Sequence, residues 1–287
     1  MSSLYVAAPV RSVDVDGTQL AYREFGDQSG VPLVLFSRFR GSIDDWDPAV
    51  IELLSRERHV VTFDNAGVGF SDGEVGANIT EMAKTAVKFI KTLGTKKADL
   101  LGFSMGGYIA QRIALTEPEL VRNVILVGTG PGGGEGATYP GPDVAHWVNS
   151  VRDPELTFQA LWFNKKPTGI AATRAYMERI YTPERPERAN VTAEAGAKLR
   201  AAIVDWWEGN GSTLPELENI QHPVLVVNGS NDVMVPTPNS FLMAQRIPNA
   251  QLIIYPDSGH ASLFQYPETF SEHVLKFLRD QENGGLK

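Results

Sequence analysis

The chain has 287 residues, with 26 Lys and Arg against 34 Asp and Glu; the net charge of −8 and the lack of any basic run exclude a nucleic-acid grip. It has no cysteine, which removes disulfides, thiolate metal sites and a cysteine nucleophile and fits a reducing, cytoplasmic setting. Its longest apolar runs, such as residues 31–36 and 223–227, fall far short of the roughly 20 residues that crossing a bilayer needs, so no membrane partner is expected.

In chain order, the opening MSSLYVAAPVRSVDV has no basic region ahead of a long apolar one, and Pro9 and Arg11 interrupt it, so it does not read as a signal peptide. Val13 and Val15, then Asp16-Gly17, then Leu20 and Tyr22 alternate around a two-residue turn signal and predict an antiparallel hairpin. Short β-rich apolar runs follow at 31–36, 59–64, 99–104, 123–128, 223–229 and 250–256, each reading as a strand covered on both faces. Helical periods lie between most of them. Over 80–94, Met82, Ala83, Ala86, Phe89, Ile90 and Leu93 fall along one stripe that ends before Gly94.

Strands alternating with helices predict an α/β fold: a mostly parallel sheet with helices on both faces and the hairpin at its start. The alternation breaks at 131–213, where PGGGEGATYPGP gives way to helix-like stretches around 143–152, 155–163, 168–181 and 192–208. The expected organisation is a core of 1–130 and 214–287 with 131–213 inserted as a helical cap. The aromatics of that insertion either fill its own interior or line a cavity.

Three loops carry the chemistry. DLLGFSMGGYIA places Gly102-Phe103-Ser104-Met105-Gly106 between a strand and a helix, the Gly-x-Ser-x-Gly arrangement of a nucleophile on a sharp turn. Such a turn drives Ser104 to positive φ, and glycine two positions away on each side removes side chains that would collide. The helix start aims free amides at the reacting centre, which makes Met105 N–H the first oxyanion donor.

Of the five histidines, His260 in DSGHAS lies past a late strand, where open α/β sheets gather ligands. His59 and His222 precede strands, His273 falls in a terminal helix, and His146 sits in the insertion as a surface or packing residue. The acid should lie between nucleophile and base in the chain. Asp232, in Ser230-Asn231-Asp232 after PVLVVNG, meets that order, and VGTGPGGG offers no carboxylate before Glu135. These residues need neither metal nor cofactor: His260 takes the Ser104 proton, and Asp232 holds the imidazole.

LVLF at 33–36, FDNAGVGFSDG at 63–73, GFSMGG at 102–107, NGSNDVMVP at 228–236 and DSGHAS at 257–262 together resemble the α/β-hydrolase superfamily, in its single-chain members with a helical cap after the sixth strand. Where many members have His-Gly after the first core strand, this chain has Ser37-Arg38, and the resemblance implies that Phe39 N–H is the second oxyanion donor. Where many have an arginine, it has Ala66. Arg38 or Arg40 is expected either to supply that guanidinium, pairing with a carboxylate such as Asp64, or to be a solvated surface cation.

Serine at position 104 speaks against the relatives that use aspartate there, the haloalkane dehalogenases and epoxide hydrolases. Hydrolysis of a small-molecule substrate, a carboxylic ester or lactone, leads. Cofactor-free perhydrolysis or carbon–carbon hydrolysis on the same triad are alternatives, as is a receptor of the same fold with little turnover. Phe103, Trp147 and Trp162 are the pocket candidates. Monomer and homodimer both remain open.

Overall fold

Asp16 and Gly17 both adopt positive φ, 53° and 84°, the twist that lets a two-residue turn join antiparallel strands. Strand β1 (Arg11–Val15) therefore folds back on β2 (Thr18–Phe25), with Val15 opposite Thr18. In the computed structural model, which describes residues 4–150, 153–181 and 189–285, a short helix α1 (Leu4–Ala7) precedes this hairpin. Beyond it run β3 (Leu33–Phe36), α2 (Pro48–Leu54), β4 (Val60–Phe63), α3 (Ile79–Thr92), β5 (Ala98–Phe103), α4 (Met105–Thr116) and β6 (Val121–Val127). Four helices come next, α5 (Pro142–Ser150), α6 (Pro154–Leu161), α7 (Pro167–Ile180) and α8 (Ala193–Trp207). The chain then returns through β7 (Val224–Gly229), α9 (Pro238–Arg246), β8 (Ala250–Tyr255), α10 (Ser262–Gln265) and α11 (Pro267–Glu282).

Eight strands form one sheet in the order β1-β2-β4-β3-β5-β6-β7-β8, parallel except where β2 pairs with β1 and β4. Each apolar run became a strand. Every residue of β3, β4, β5 and β7 is buried, as expected of strands covered on both faces. β8 departs from that reading: it lies at the sheet edge, and most of it is half-buried. The stripe expected at 80–94 is the buried face of α3, capped by Asn78 and stopped at Gly94, whose φ is 69°.

The order decides where a site can form. β3 sits between β4 and β5, so successive connections leave it in opposite directions and a crevice opens at the carboxyl ends of β3 and β5. Phe36 lies opposite Gly102, and the loops leaving these two strands emerge side by side.

The helices expected around 143–152, 155–163, 168–181 and 192–208 correspond to α5–α8, with residues 151 and 152 outside the described residues. Their aromatics pack downward rather than only on one another. Trp206 stacks on Tyr108 of α4 at 5.0 Å, and Tyr176 stacks on Phe264 of α10 at 4.8 Å. Tyr176 also donates to Asp45 O at 2.9 Å, and Arg179 grips Asp47 from α7. No helix among the described residues is long and apolar enough to cross a membrane.

Candidate active site

Ser104 follows β5 directly and caps α4 with φ 56° and ψ −121°, the left-handed strain the Gly-x-Ser-x-Gly pattern predicts. The flanking glycines are required by neighbouring backbone. A Cβ on Gly102 would sit 2.5 Å from Gly106 O and Gly107 Cα, and one on Gly106 would drive into the carbonyl of Phe36. The turn is tied down at both ends: Ser104 N–H donates to Val127 O at 2.9 Å, and Thr129 Oγ1 donates to Ser104 O at 2.8 Å.

The other two loops meet it. Asp232 follows β7 and His260 follows β8, and both are buried. His260 Nδ1 donates to Asp232 Oδ2 at 2.8 Å. The second carboxylate oxygen accepts the N–H groups of Met234 at 2.8 Å and Val235 at 2.9 Å, which fixes the carboxylate plane. With Nδ1–H committed to Asp232, Nε2 is the ring nitrogen left to face the cavity, a buried atom with no hydrogen-bond partner among the described residues. His260 and Ser104 line one cavity together. Phe103 lies behind the imidazole, ring centroids 5.1 Å apart, and holds it from the sheet side.

The remaining histidines are engaged elsewhere or exposed. His59 Nε2 meets Glu24 at 2.9 Å, His222 Nε2 donates to Pro118 O at 3.0 Å, and His273 Nδ1 meets Tyr255 Oη at 2.7 Å. His146 is exposed on α5.

The alpha/beta hydrolase fold family matches residues 31–267. The chain belongs to the α/β-hydrolase fold family. A solved structure described as an α/β-hydrolase fold protein, from Chitinophaga pinensis, is 35% identical with a TM-score of 0.87, covering 96% of this chain and 98% of that one. A protein named as a non-heme bromoperoxidase in Mycobacterium tuberculosis is 27% identical over 274 residues, 90% of this chain and 97% of its own. One named as a carbamate hydrolase in Azorhizobium caulinodans is 27% identical over 250 residues, 87% of this chain and 91% of its own.

Within this α/β-hydrolase, the positions expected to supply oxyanion donors flank Ser104. Met105 opens α4, where first-turn amides have no carbonyl a turn earlier to bond, and its side chain is buried in the core. Phe39 comes from the loop after β3 and lines the cavities on both sides of Ser104. Of the three pocket candidates, Trp162 lines the cavity beside Ser104 and His260. Phe103 lies against the histidine and lines neither of the two cavities at Ser104. Trp147 faces a separate cleft with Lys165, whose ammonium lies 4.9 Å from its ring. Sequence reading missed Tyr108, Tyr139 and Ile203, which line the larger cavity over Ser104 together with Trp207, one of the insertion aromatics expected to fill its interior or line a cavity. The one signal available for Tyr108 was its place one helical turn after the serine.

The expected pairing of Arg38 or Arg40 with Asp64 does not form. Asp64 accepts the N–H groups of Ile43 at 2.7 Å and Phe70 at 2.9 Å, so backbone donors occupy both of its oxygens. Arg38 turns away to Asp45 at 3.2 Å and lies over the Trp162 ring at 4.4 Å, joining the loop after β3 to the end of α6. Arg40, at φ 55°, is exposed, with its guanidinium against Gly196 of α8. The cation whose field reaches Asp64 is Arg23, itself paired with Asp44 at 3.1 Å.

Burial pushes the Asp64 carboxyl up to about 7, against the lowering effect of the two amides. The folded protein thus holds a proton between about pH 4 and 7 that the unfolded chain releases, and this contribution to stability is complete at low pH and lost as pH rises towards 7. Asp64→Asn, which cannot titrate, should remove a slope of up to about 1.4 kcal/mol per pH unit. Thermal unfolding of both proteins from pH 4.5 to 7 checks it; parallel curves would refute the assignment.

Proposed function

We propose that the protein is a serine hydrolase that cleaves a carboxylic ester or lactone through an acyl-enzyme on Ser104, His260 and Asp232. The observation carrying this reading is the pairing of a serine held at positive φ with a histidine in the same cavity, its Nδ1 on a buried carboxylate and its Nε2 free to accept a proton.

Ser104 Oγ attacks the carbonyl carbon while its proton passes to His260 Nε2. The carbonyl electron pair moves onto oxygen, where the N–H groups of Met105 and Phe39 stabilise the oxyanion. The carbonyl re-forms, the C–O bond to the alkoxide breaks, and His260 returns the proton to the leaving oxygen. Water, deprotonated by His260, then releases the acid and restores Ser104. Asp232 holds Nδ1–H and stabilises the imidazolium. Residues 131–213 act as a lid, since Trp162, Val148, Ile203 and Trp207 wall the space above the serine.

Peroxide in place of water would give a peracid on the same residues, a second reading favoured by the relative named as a bromoperoxidase. A fluorophosphonate should add one phosphonyl group at Ser104, read by peptide mass spectrometry, and p-nitrophenyl acetate should give a burst of one p-nitrophenolate per chain. Absence of both the adduct and the burst would refute the acyl-enzyme. Labelling without turnover of any ester would point to a receptor.

A further inference from the structure

Two cavities meet at Ser104 and differ in size and lining. The larger, about 500 Å³, lies under α5 and α8 and is walled chiefly by Tyr108, Tyr139, Val144, Ile203 and Trp207. The smaller, about 130 Å³, is enclosed by Arg38, Phe158, Leu161, Trp162 and His260. Phe39, Ser104, Val148 and Met234 line both, so the serine stands at their junction. His260 borders the small cavity and not the large one.

We propose that the protein is selective for esters of a long or bulky apolar acid with a short alcohol, the acyl chain filling the large cavity and the alkoxide the small one. The inference rests on the acyl-enzyme reading and adds the assignment of sides. In the tetrahedral intermediate the carbon carries Oγ, the oxyanion, the acyl chain and the leaving oxygen. The leaving oxygen must lie within hydrogen-bond reach of His260 Nε2, because the proton that completes the alcohol comes from there. That places the alkoxide on the histidine side, and the acyl chain is left with the other cavity.

The sizes then set the limits. At about 30 Å³ per water-sized group, the small cavity takes roughly four such groups and the large one roughly sixteen. Arg38, 4.4 Å from the Trp162 ring, and Phe158, whose ring lies 4.5 Å from it, wall the small cavity and keep it short. The large cavity is lined mainly by aromatic and aliphatic side chains; its charged members, Arg200 and Glu208, come from α8 and the turn that ends it. Each methylene that it buries should raise kcat/KM about fourfold until the space is full.

The isomers methyl octanoate and heptyl acetate have the same atoms and reverse the two sides, which makes them the test. By pH-stat, kcat/KM for methyl octanoate should exceed that for heptyl acetate at least about tenfold, and methyl esters should improve from butanoate to octanoate. Ile203→Trp, which fills the large cavity, should lower the octanoate-to-butanoate ratio about tenfold. Phe158→Ala, which lengthens the small one, should raise heptyl acetate relative to methyl octanoate by a similar factor. Equal or reversed preference between the isomers overturns the assignment of sides. So does an unchanged ratio in Ile203→Trp, or no turnover of either isomer by protein whose Ser104 takes the phosphonate. A Ser104→Ala protein that still cleaves methyl octanoate would instead remove the acyl-enzyme reading beneath it.

Discussion

Ser104→Ala is expected to lower kcat for ester cleavage by about 10⁶-fold, since nucleophile and base act as a unit and loss of either removes the covalent route. The protein should keep its fold. Ser104 donates through its backbone to Val127 O and accepts Thr129 Oγ1 at its carbonyl, and neither contact involves the hydroxyl. Alanine meets the same cost at φ 56° as serine does, because the strain there comes from Cβ. Thermal unfolding should therefore be unchanged while the burst and the phosphonate adduct both vanish. Turnover within a hundredfold of the parent would show that another group attacks.

Asp232→Asn is the second large effect, a loss of about 10⁴-fold in kcat, and its cause can be derived from the partners of each oxygen. Oδ1 accepts two backbone N–H groups, from Met234 and Val235, so the amide oxygen of asparagine must occupy that position. Its NH₂ then faces His260 Nδ1, which becomes an acceptor there and shifts the ring proton to Nε2. A protonated Nε2 cannot take the serine proton. The KM for a slowly turned-over ester should change little, because Asp232 borders neither cavity at Ser104. Nitrogen NMR of the imidazole would read the tautomer directly; retained activity with the proton still at Nδ1 would contradict the argument.

Local patterns were legible because their causes are local. The Asp16-Gly17 turn, the stripe of α3 and the glycines around Ser104 each reflect sterics or periodicity within a few residues, and each appears where the sequence puts it. The partners of the arginines were not legible. Arg38 pairs with Asp45 and lies over Trp162 at the end of α6, and its direction depends on which acceptors the backbone leaves open. Two amides claim Asp64, from Ile43 and Phe70, and nothing in the sequence announces that. Trp147 and Trp162 likewise sit in similar helical stretches, yet one borders the serine's cavity and the other a separate cleft.

The strands, the sharp turn at Ser104 and the chain order of serine, aspartate and histidine can be read from the residues alone, since they follow from backbone sterics and side-chain alternation. Tertiary structure alone decided that the imidazole reaches Asp232 across 28 residues and that Ser104 divides two unequal cavities. Those are facts of packing. The volume left above a residue depends on how helices far away in the chain cross it, and that is fixed by the summed contacts of the whole core rather than by any short stretch.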